Sequence, residues 1–111
     1  MVLMGFTYAG SINEIKFGEM KSITIANKDI LIINYDGNYY VMNRKCTHLG
    51  GDLSKGKLEN GIITCPNHGS KFDVKNGKCL SGPKMGFLKL STKDLPIYEV
   101  KVEGEKIFVN I

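Results

Sequence analysis

The hydrophobic residues of this chain recur with the spacing of β-strands rather than that of helices. Between residues 22 and 25, isoleucines alternate with Ser and Thr, which is typical of a strand that buries one face. Two further strand-like segments, 30–35 and 39–42, flank Asp36-Gly37-Asn38. An Asp-Gly pair between two such segments predicts a β-hairpin with a tight turn.

Short strands and glycine turns continue along the rest of the chain. Segments 97–102 and 107–111 flank Glu103-Gly104-Glu105 and predict a second hairpin, while Asn60-Gly61 and Asn76-Gly77 predict two more tight turns. Helical periodicity is weak throughout, and the chain has 13 glycines. These features predict an all-β fold, either a sandwich or a small barrel.

Residues 44–86 depart from this regular pattern. The segment is rich in Gly, Lys, Cys and His, and its strand-like pieces, such as 62–64 and 72–74, are short. We expect such a segment to bury little apolar surface, so that something other than a hydrophobic core must hold it together. A metal centre is the obvious candidate, because metal binding can supply folding free energy.

Length and charge exclude several classes of protein. A chain of 111 residues buries one modest core, so we expect a single domain spanning 1–111. The longest aliphatic run, 30–33, is too short to cross a bilayer, and the N-terminus shows no export signal, which predicts a cytoplasmic protein with no membrane association. The net charge of +4 comes from lysines spread along the chain, with Arg44 as the only arginine, and this disfavours nucleic-acid binding.

Two of the three cysteines are paired in sequence with the only two histidines. Cys46 precedes His48 by two positions, and Cys65 precedes His68 by three. Disulfides are not expected in a cytoplasmic chain, where thiols stay reduced. Glycines follow both pairs and allow a loop to curl tightly around a cofactor. The paired pattern therefore indicates metal ligands.

Two kinds of metal centre suit these four side chains. A structural zinc ion would take all four, although zinc sites usually pair Cys with Cys and His with His along the sequence. Here each loop offers one thiolate and one imidazole. That arrangement suits a dinuclear iron–sulfur centre in which Cys46 and Cys65 bind one iron while His48 and His68 bind the other.

At these two loops the chain resembles the Rieske 2Fe–2S family. The resemblance rests on Cys-Thr-His-Leu-Gly at 46–50, on Cys-Pro-Asn-His-Gly-Ser-Lys-Phe-Asp at 65–73, on Ser-Gly-Pro at 81–83 and on the closing pattern from Leu95 onward. It implies three antiparallel β-sheets, with a small cluster-binding subdomain at about 44–86 inserted in a β base domain. It also implies one Rieske 2Fe–2S cluster, bound by the two cysteines and two histidines named above.

The resemblance assigns roles to four residues around the cluster. Leu49 and Pro83 correspond to residues that shield it from water, and Ser70 corresponds to a serine whose hydroxyl bonds to a sulfide. High-potential relatives have a tyrosine as a second hydroxyl donor, where this chain has Phe72. Because donors to the sulfurs favour the reduced cluster, the lost donor predicts a low to low-intermediate potential.

Among Rieske proteins, the chain is expected to be an electron carrier and not an enzyme. It lacks the additional loop cysteines and the anchor of respiratory Rieske proteins, and its length leaves no room for a catalytic iron domain. The resemblance therefore implies a one-electron carrier between a flavin-dependent ferredoxin reductase and a terminal oxygenase. A redox-sensing Rieske protein and, less favoured, a zinc-stabilised structural module are the alternatives.

Two groups of residues near the loops carry open interpretations. Cys79 lies outside the ligand pattern and is expected to be a buried small hydrophobic residue beside Leu80, with a redox switch or an alternative ligand as the less favoured interpretation. Four lysines close to the loops suit either a docking face for an acidic partner or an ordinary solvated surface. They are Lys45, Lys55, Lys71 and Lys84.

Overall fold

The computed structural model describes residues 5–46, 51–67, 69–81, 84–85, 88–89 and 93–111. Within these ranges the chain forms β-strands and two 3₁₀ turns, Ile12–Glu14 and Leu53–Lys55. No described segment is a helix of the length and hydrophobicity that crossing a membrane would require. The strands are β1 (Phe6–Ser11), β2 (Met20–Ile25), β3 (Lys28–Tyr35), β4 (Asn38–Asn43), β5 (Lys57–Glu59), β6 (Ile62–Thr64), β7 (Lys71–Asp73), β8 (Cys79–Ser81), β9 (Lys84–Met85), β10 (Leu88–Lys89), β11 (Ile97–Tyr98), β12 (Val100–Glu103) and β13 (Lys106–Asn110).

The strands assemble into three larger antiparallel sheets and one short pair. The terminal sheet has the order β1-β13-β12, the central sheet β11-β4-β3-β2 and the distal sheet β5-β6-β7-β8, while β9 pairs with β10. All described pairings are antiparallel. The predicted all-β class with three antiparallel sheets is confirmed.

The hairpins predicted from Asp-Gly and Asn-Gly pairs are present. Asp36 and Gly37 have φ values of 54° and 79°, and Tyr35 pairs with Asn38 across them. Asn60 and Gly61 have φ values of 51° and 76° and connect β5 to β6. Positive φ at both central residues is the requirement of a type I′ turn, which Asn, Asp and Gly meet with least strain.

The strand predicted at 97–102 is instead two strands in two sheets. Ile97–Tyr98 pairs with β4 of the central sheet, whereas Val100–Glu103 pairs with β13 of the terminal sheet. The chain changes sheets at Glu99, whose carbonyl accepts a 2.9 Å hydrogen bond from the N–H of Asn110. The sequence gives no sign of this change, because strand-forming residues continue on both sides of Glu99.

Strand β3 lies between two hydrophobic cores. Ile30 and Ile32 face the base core, which is shared with the terminal sheet, and Leu31 and Ile33 face the ligand core, which is shared with the distal sheet. All four side chains are fully buried. An unbroken aliphatic run is what a strand covered on both faces requires.

The expectation that residues 44–86 bury little apolar surface is wrong. Leu53, Ile63, Phe72 and Val74 are at most 1% exposed and pack in the ligand core. Strands of three residues each contribute only one or two inward side chains, so their apolar content is low even though the core they share with β3 is complete.

Candidate metal centre

The first ligand loop, residues 46–51, is closed at its base by main-chain atoms. The N–H of Cys46 donates to the carbonyl oxygen of Gly51 at 2.7 Å. Just outside this bond, Lys45 and Asp52 form an isolated antiparallel bridge. Cys46 is 3% exposed and therefore points into the protein.

Asp52 and Arg44 anchor the base of this loop. Asp52 Oδ1 accepts hydrogen bonds from the backbone N–H of Ser54 at 3.0 Å and from its hydroxyl at 2.6 Å, and so caps the 3₁₀ turn that follows. Arg44 lies between Asp52 and Asp29, with nitrogen–oxygen distances of 3.6 Å and 3.9 Å. The Ser54 hydroxyl, with a smaller contribution from the Arg44 charge, holds the pKa of Asp52 below its ordinary value.

The second ligand loop, residues 65–70, is closed in the same way. The N–H of Cys65 donates to the carbonyl oxygen of Ser70 at 2.8 Å, so each cysteine bonds to the residue five positions ahead. Within the loop, Gly69 has a φ of 78° and donates its N–H to the carbonyl of Cys65 at 3.2 Å. Its left-handed conformation explains the glycine. Cys65 is 3% exposed.

The two loops meet at Gly51. A Cβ atom at this position would lie 2.6 Å from the sulfur of Cys65 and 3.1 Å from the side-chain amide of Asn67. These distances are shorter than van der Waals contact, so the loops approach this closely only because residue 51 has no side chain. Cys46 and Cys65 consequently lie in one core, on loops that touch.

Ser70 provides a direct test of whether this site fits an iron–sulfur group. The residue is 1% exposed, and its buried Oγ has no hydrogen-bond partner among the described residues. A buried hydroxyl without a partner costs roughly 1–3 kcal/mol. An acceptor sulfur beside Ser70 would remove that penalty, and two buried cysteines on adjoining loops are the thiolate donors that such a group needs. The described residues therefore fit the cluster.

Several predicted site residues lie outside the described part of the chain. These are the ligands His48 and His68 and the shielding residues Leu49 and Pro83. The described residues alone contain no group of three or more His, Cys, Asp or Glu placed to bind a metal ion. The histidine ligands accordingly stay a prediction. Phe72 is described, is fully buried and packs in the same core as both cysteines.

Cys79 is placed only partly as expected. It packs against the ligand core opposite Phe72, but it is half-buried rather than buried. Its N–H donates to Asp94 Oδ1 at 2.8 Å, and burial raises the pKa of its thiol. Leu80 is 53% exposed, because the register between β7 and β8 shifts at this point and turns its side chain outward.

Two supports of the site were not predicted from the sequence. One is the Asp52–Ser54 cap, which the Asp-x-Ser pattern after two glycines could have indicated. The other is Gly56, where a Cβ would lie 2.1 Å from the carbonyl oxygen of Thr64. That close approach holds the 3₁₀ turn against β6, at the position just before the β5–β6 pairing begins.

Comparison with known proteins decides the family. The sequence model described as "Rieske [2Fe-2S] domain" matches residues 5–99. The chain belongs to the Rieske family. This membership assigns one Rieske 2Fe–2S cluster to the site described above.

Two relatives that match nearly the full chain are ferredoxin components of dioxygenase systems. The chain is 32% identical over 108 residues to the biphenyl dioxygenase ferredoxin subunit of Pseudomonas sp. (strain KKS102), covering 96% of this chain and 93% of that one. It is 30% identical over 103 residues to the ferredoxin component of the naphthalene 1,2-dioxygenase system of Pseudomonas aeruginosa, covering 93% and 92%. This Rieske protein is therefore an electron carrier and not itself a catalyst.

A solved structure shares the fold. One chain in the complex of reduced oxygenase and oxidised ferredoxin in carbazole 1,9a-dioxygenase superposes on this chain with a TM-score of 0.83. The two chains are 24% identical, and the match covers 95% of this chain and 92% of that one. At this identity the likeness concerns the fold alone.

Proposed function

We propose that this Rieske protein carries single electrons from a flavin-dependent ferredoxin reductase to the terminal oxygenase of a ring-hydroxylating system. The observation that carries the proposal is the contact between the two ligand loops at Gly51, which accompanies the burial of both cysteines in one core. The second loop ends at the buried hydroxyl of Ser70, which has no hydrogen-bond partner among the described residues. Relatives covering nearly the full chain are ferredoxin components of dioxygenase systems, which supports the choice of partners.

The proposed ligands divide between the two irons by residue type. Cys46 and Cys65 bind the inner iron, consistent with their burial, and His48 and His68 bind the other. When bound, a Rieske cluster takes up and releases one electron. The chain contributes the donor set, the Ser70 hydroxyl and the exclusion of water by the ligand core.

The residues around the sulfurs favour a potential in the low to low-intermediate part of the Rieske range. Ser70 is buried with a free hydroxyl, whereas the neighbouring Phe72 is fully buried and offers no donor. One hydrogen-bond donor to the sulfurs stabilises the reduced form less than two would.

The division of the chain and its location belong to the same proposal. We place the cluster-binding subdomain at about 44–86 within a single domain of 1–111, supported by the distal sheet, whose strands all fall between Lys57 and Ser81. We propose that the protein is cytoplasmic, where the thiols of its ligand cysteines stay reduced.

Stopped-flow spectroscopy tests the transfer of electrons. The holoprotein is reduced either with dithionite, which is then removed, or with NADH and a flavin-dependent ferredoxin reductase, and is mixed with the oxidised oxygenase of carbazole 1,9a-dioxygenase. We expect the visible spectrum to show reduction by the reductase and reoxidation by the oxygenase in a one-to-one stoichiometry. Reduction by dithionite without exchange in either protein reaction would favour a redox sensor over a carrier.

A further inference from the structure

The positive charge of the chain is concentrated in the segment that carries the ligand loops. Residues 44–86 contain eight of the fifteen basic residues and three of the eleven acidic residues, whereas the remaining chain contains seven and eight. The loop-bearing segment therefore has a net charge of +5 and the rest of the chain −1. Such an asymmetry produces a field that orients the protein toward a charged surface before contact.

The outer face of the distal sheet carries a basic row at one end and an acidic row at the other. On its outer face, Lys57, Thr64 and Lys71 form the cross-strand row next to the second ligand loop. Glu59 and Asp73 lie in the row at the far end of that face, two residues along each strand. In these two rows, the lysines are thus next to the second ligand loop and the carboxylates lie away from it.

Three lysines adjoin the ligand loops and are available for intermolecular contact. Lys45 precedes the first loop, Lys55 ends the 3₁₀ turn after it, and Lys71 follows the second loop. All three are exposed, and none forms an ion pair within 4 Å with a residue that the structure describes. Lys57 differs, because it is paired with Glu59 at 2.8 Å. We call Lys45, Lys55 and Lys71 the basic rim.

We infer that the basic rim docks an acidic surface of a protein electron-transfer partner; this inference rests on the proposed function. Charge complementarity selects the partner, because an acidic surface attracted to the rim arrives beside both ligand loops. Lysine favours a protein over a nucleic acid here, since its hydrated point charge suits short-lived encounters, whereas phosphate readers favour the bidentate fork of arginine. Arg44, the only arginine, is engaged with Asp29 and Asp52.

Electrodes of defined charge test the inference without a natural partner. The holoprotein is studied by voltammetry on gold coated with a carboxylate-terminated monolayer and, separately, with an ammonium-terminated monolayer. We expect a reversible one-electron signal on the carboxylate surface that weakens with ionic strength, and little signal on the ammonium surface. Adsorption to the same surfaces, measured with a quartz-crystal microbalance, reports binding independently of electron transfer.

A charge-matched pair of variants separates the rim from net charge. Lys45→Glu/Lys71→Glu lowers the net charge beside the ligand loops by four, and Lys101→Glu/Lys106→Glu lowers it by four at exposed positions of the terminal sheet. At low ionic strength we expect the rim variant to lose about tenfold or more in electron-transfer rate and in adsorption to carboxylate, and the control variant less than about twofold.

Three results would overturn the inference. Equal losses in both variants would show that only net charge matters, and a faster signal on the ammonium surface would reverse the polarity of the docking face. Submicromolar binding to duplex DNA that the rim variant alone loses would assign the lysines to nucleic acid.

Two controls accompany these measurements. Unchanged visible and EPR spectra in all variants show that the cluster is intact. The electrode result does not depend on the oxygenase, so failure of oxygenase reduction would contradict the proposed function and leave the rim result standing.

Discussion

The two faces of β3 show how one strand can serve two different kinds of core. Toward the base core, Ile30 and Ile32 meet aliphatic residues from the long strands of the central and terminal sheets. Toward the ligand core, Leu31 and Ile33 pack in a cluster that includes residues from strands of three residues and the two cysteines. The base core is built from aliphatic packing, whereas the ligand core also contains the two cysteines that we propose as cluster ligands.

The largest expected effect is loss of the cluster, accompanied by loosening of the distal sheet alone. His48→Ala or His68→Ala should abolish the Rieske EPR spectrum and reduce bound iron to near zero, because one iron loses half of its protein ligands. In these variants, amide hydrogen exchange should accelerate in the distal sheet while the central sheet keeps its protection, since the base core is unchanged.

Cys79→Ser serves as the control for these variants and should keep a native spectrum, since Cys79 lies outside the ligand pattern. Uniform loss of protection in both sheets of the histidine variants would contradict the independence of the two cores.

Gly51→Ala tests the contact between the ligand loops. The new methyl group would lie 2.6 Å from the Cys65 sulfur, so we expect a distorted EPR spectrum, lower iron content and a loss of about 1–3 kcal/mol in the free energy of unfolding. Gly18→Ala, between the first 3₁₀ turn and β2, is the matched control. It has a φ of 74° and open space around its Cβ, so it should lose about 1–2 kcal/mol from backbone strain alone, with no change in the spectrum.

A pair of identical substitutions on opposite faces of β3 sharpens the comparison further. Ile32→Val and Ile33→Val each remove one buried methylene and should each lower the free energy of unfolding by about 0.5–1.5 kcal/mol. Only Ile33→Val changes the ligand core, so we expect a shifted or broadened EPR signal in that variant alone. The same spectral change in Ile32→Val would mean that the cores are mechanically coupled through the strand.

Phe72→Tyr is expected to raise the reduction potential by some tens of millivolts. The ring is fully buried in the ligand core, so a hydroxyl placed there has a cluster sulfur as its natural acceptor. A preference of about 1 kcal/mol for the reduced form corresponds to roughly 40 mV for one electron. Protein-film voltammetry at one pH measures the shift, and a lower melting temperature with an unchanged potential would mean that the hydroxyl finds no sulfur.

The smallest effect concerns the anchor of the first loop. Because the pKa of Asp52 is lowered in the folded protein, its carboxylate contributes stability above the ordinary pKa of an aspartate and loses it as pH falls through the lowered value. The difference in melting temperature between the native protein and Asp52→Asn should therefore be largest near neutral pH and shrink under acidic conditions. Asp36→Asn, in the tight turn between β3 and β4, is the control.

Features that depend on residues adjacent in sequence were predicted better than features that depend on long-range contacts. The turns at Asp36-Gly37 and Asn60-Gly61 and the ligand loops follow from residues next to one another in sequence, and the turns are found where predicted. The change of sheet at Glu99 depends on pairing with β4 and β13, one of which is far away in sequence, so no local pattern marks it. The ligand core was missed for the same reason, because its residues come one at a time from short strands.

Both ligand loops are closed by main-chain atoms, with the N–H of each cysteine bonded to the carbonyl five residues ahead. Each closing bond joins main-chain atoms of the two end residues of the loop. Each loop can therefore be regarded as a cassette held in a constant frame. Enclosed positions other than the proposed ligands and the left-handed Gly69 can change without removing the main-chain bond that closes the loop. Such a frame lets evolution, or a protein engineer, adjust redox properties and partner choice by exchanging loop sequences while the rest of the fold stays the same.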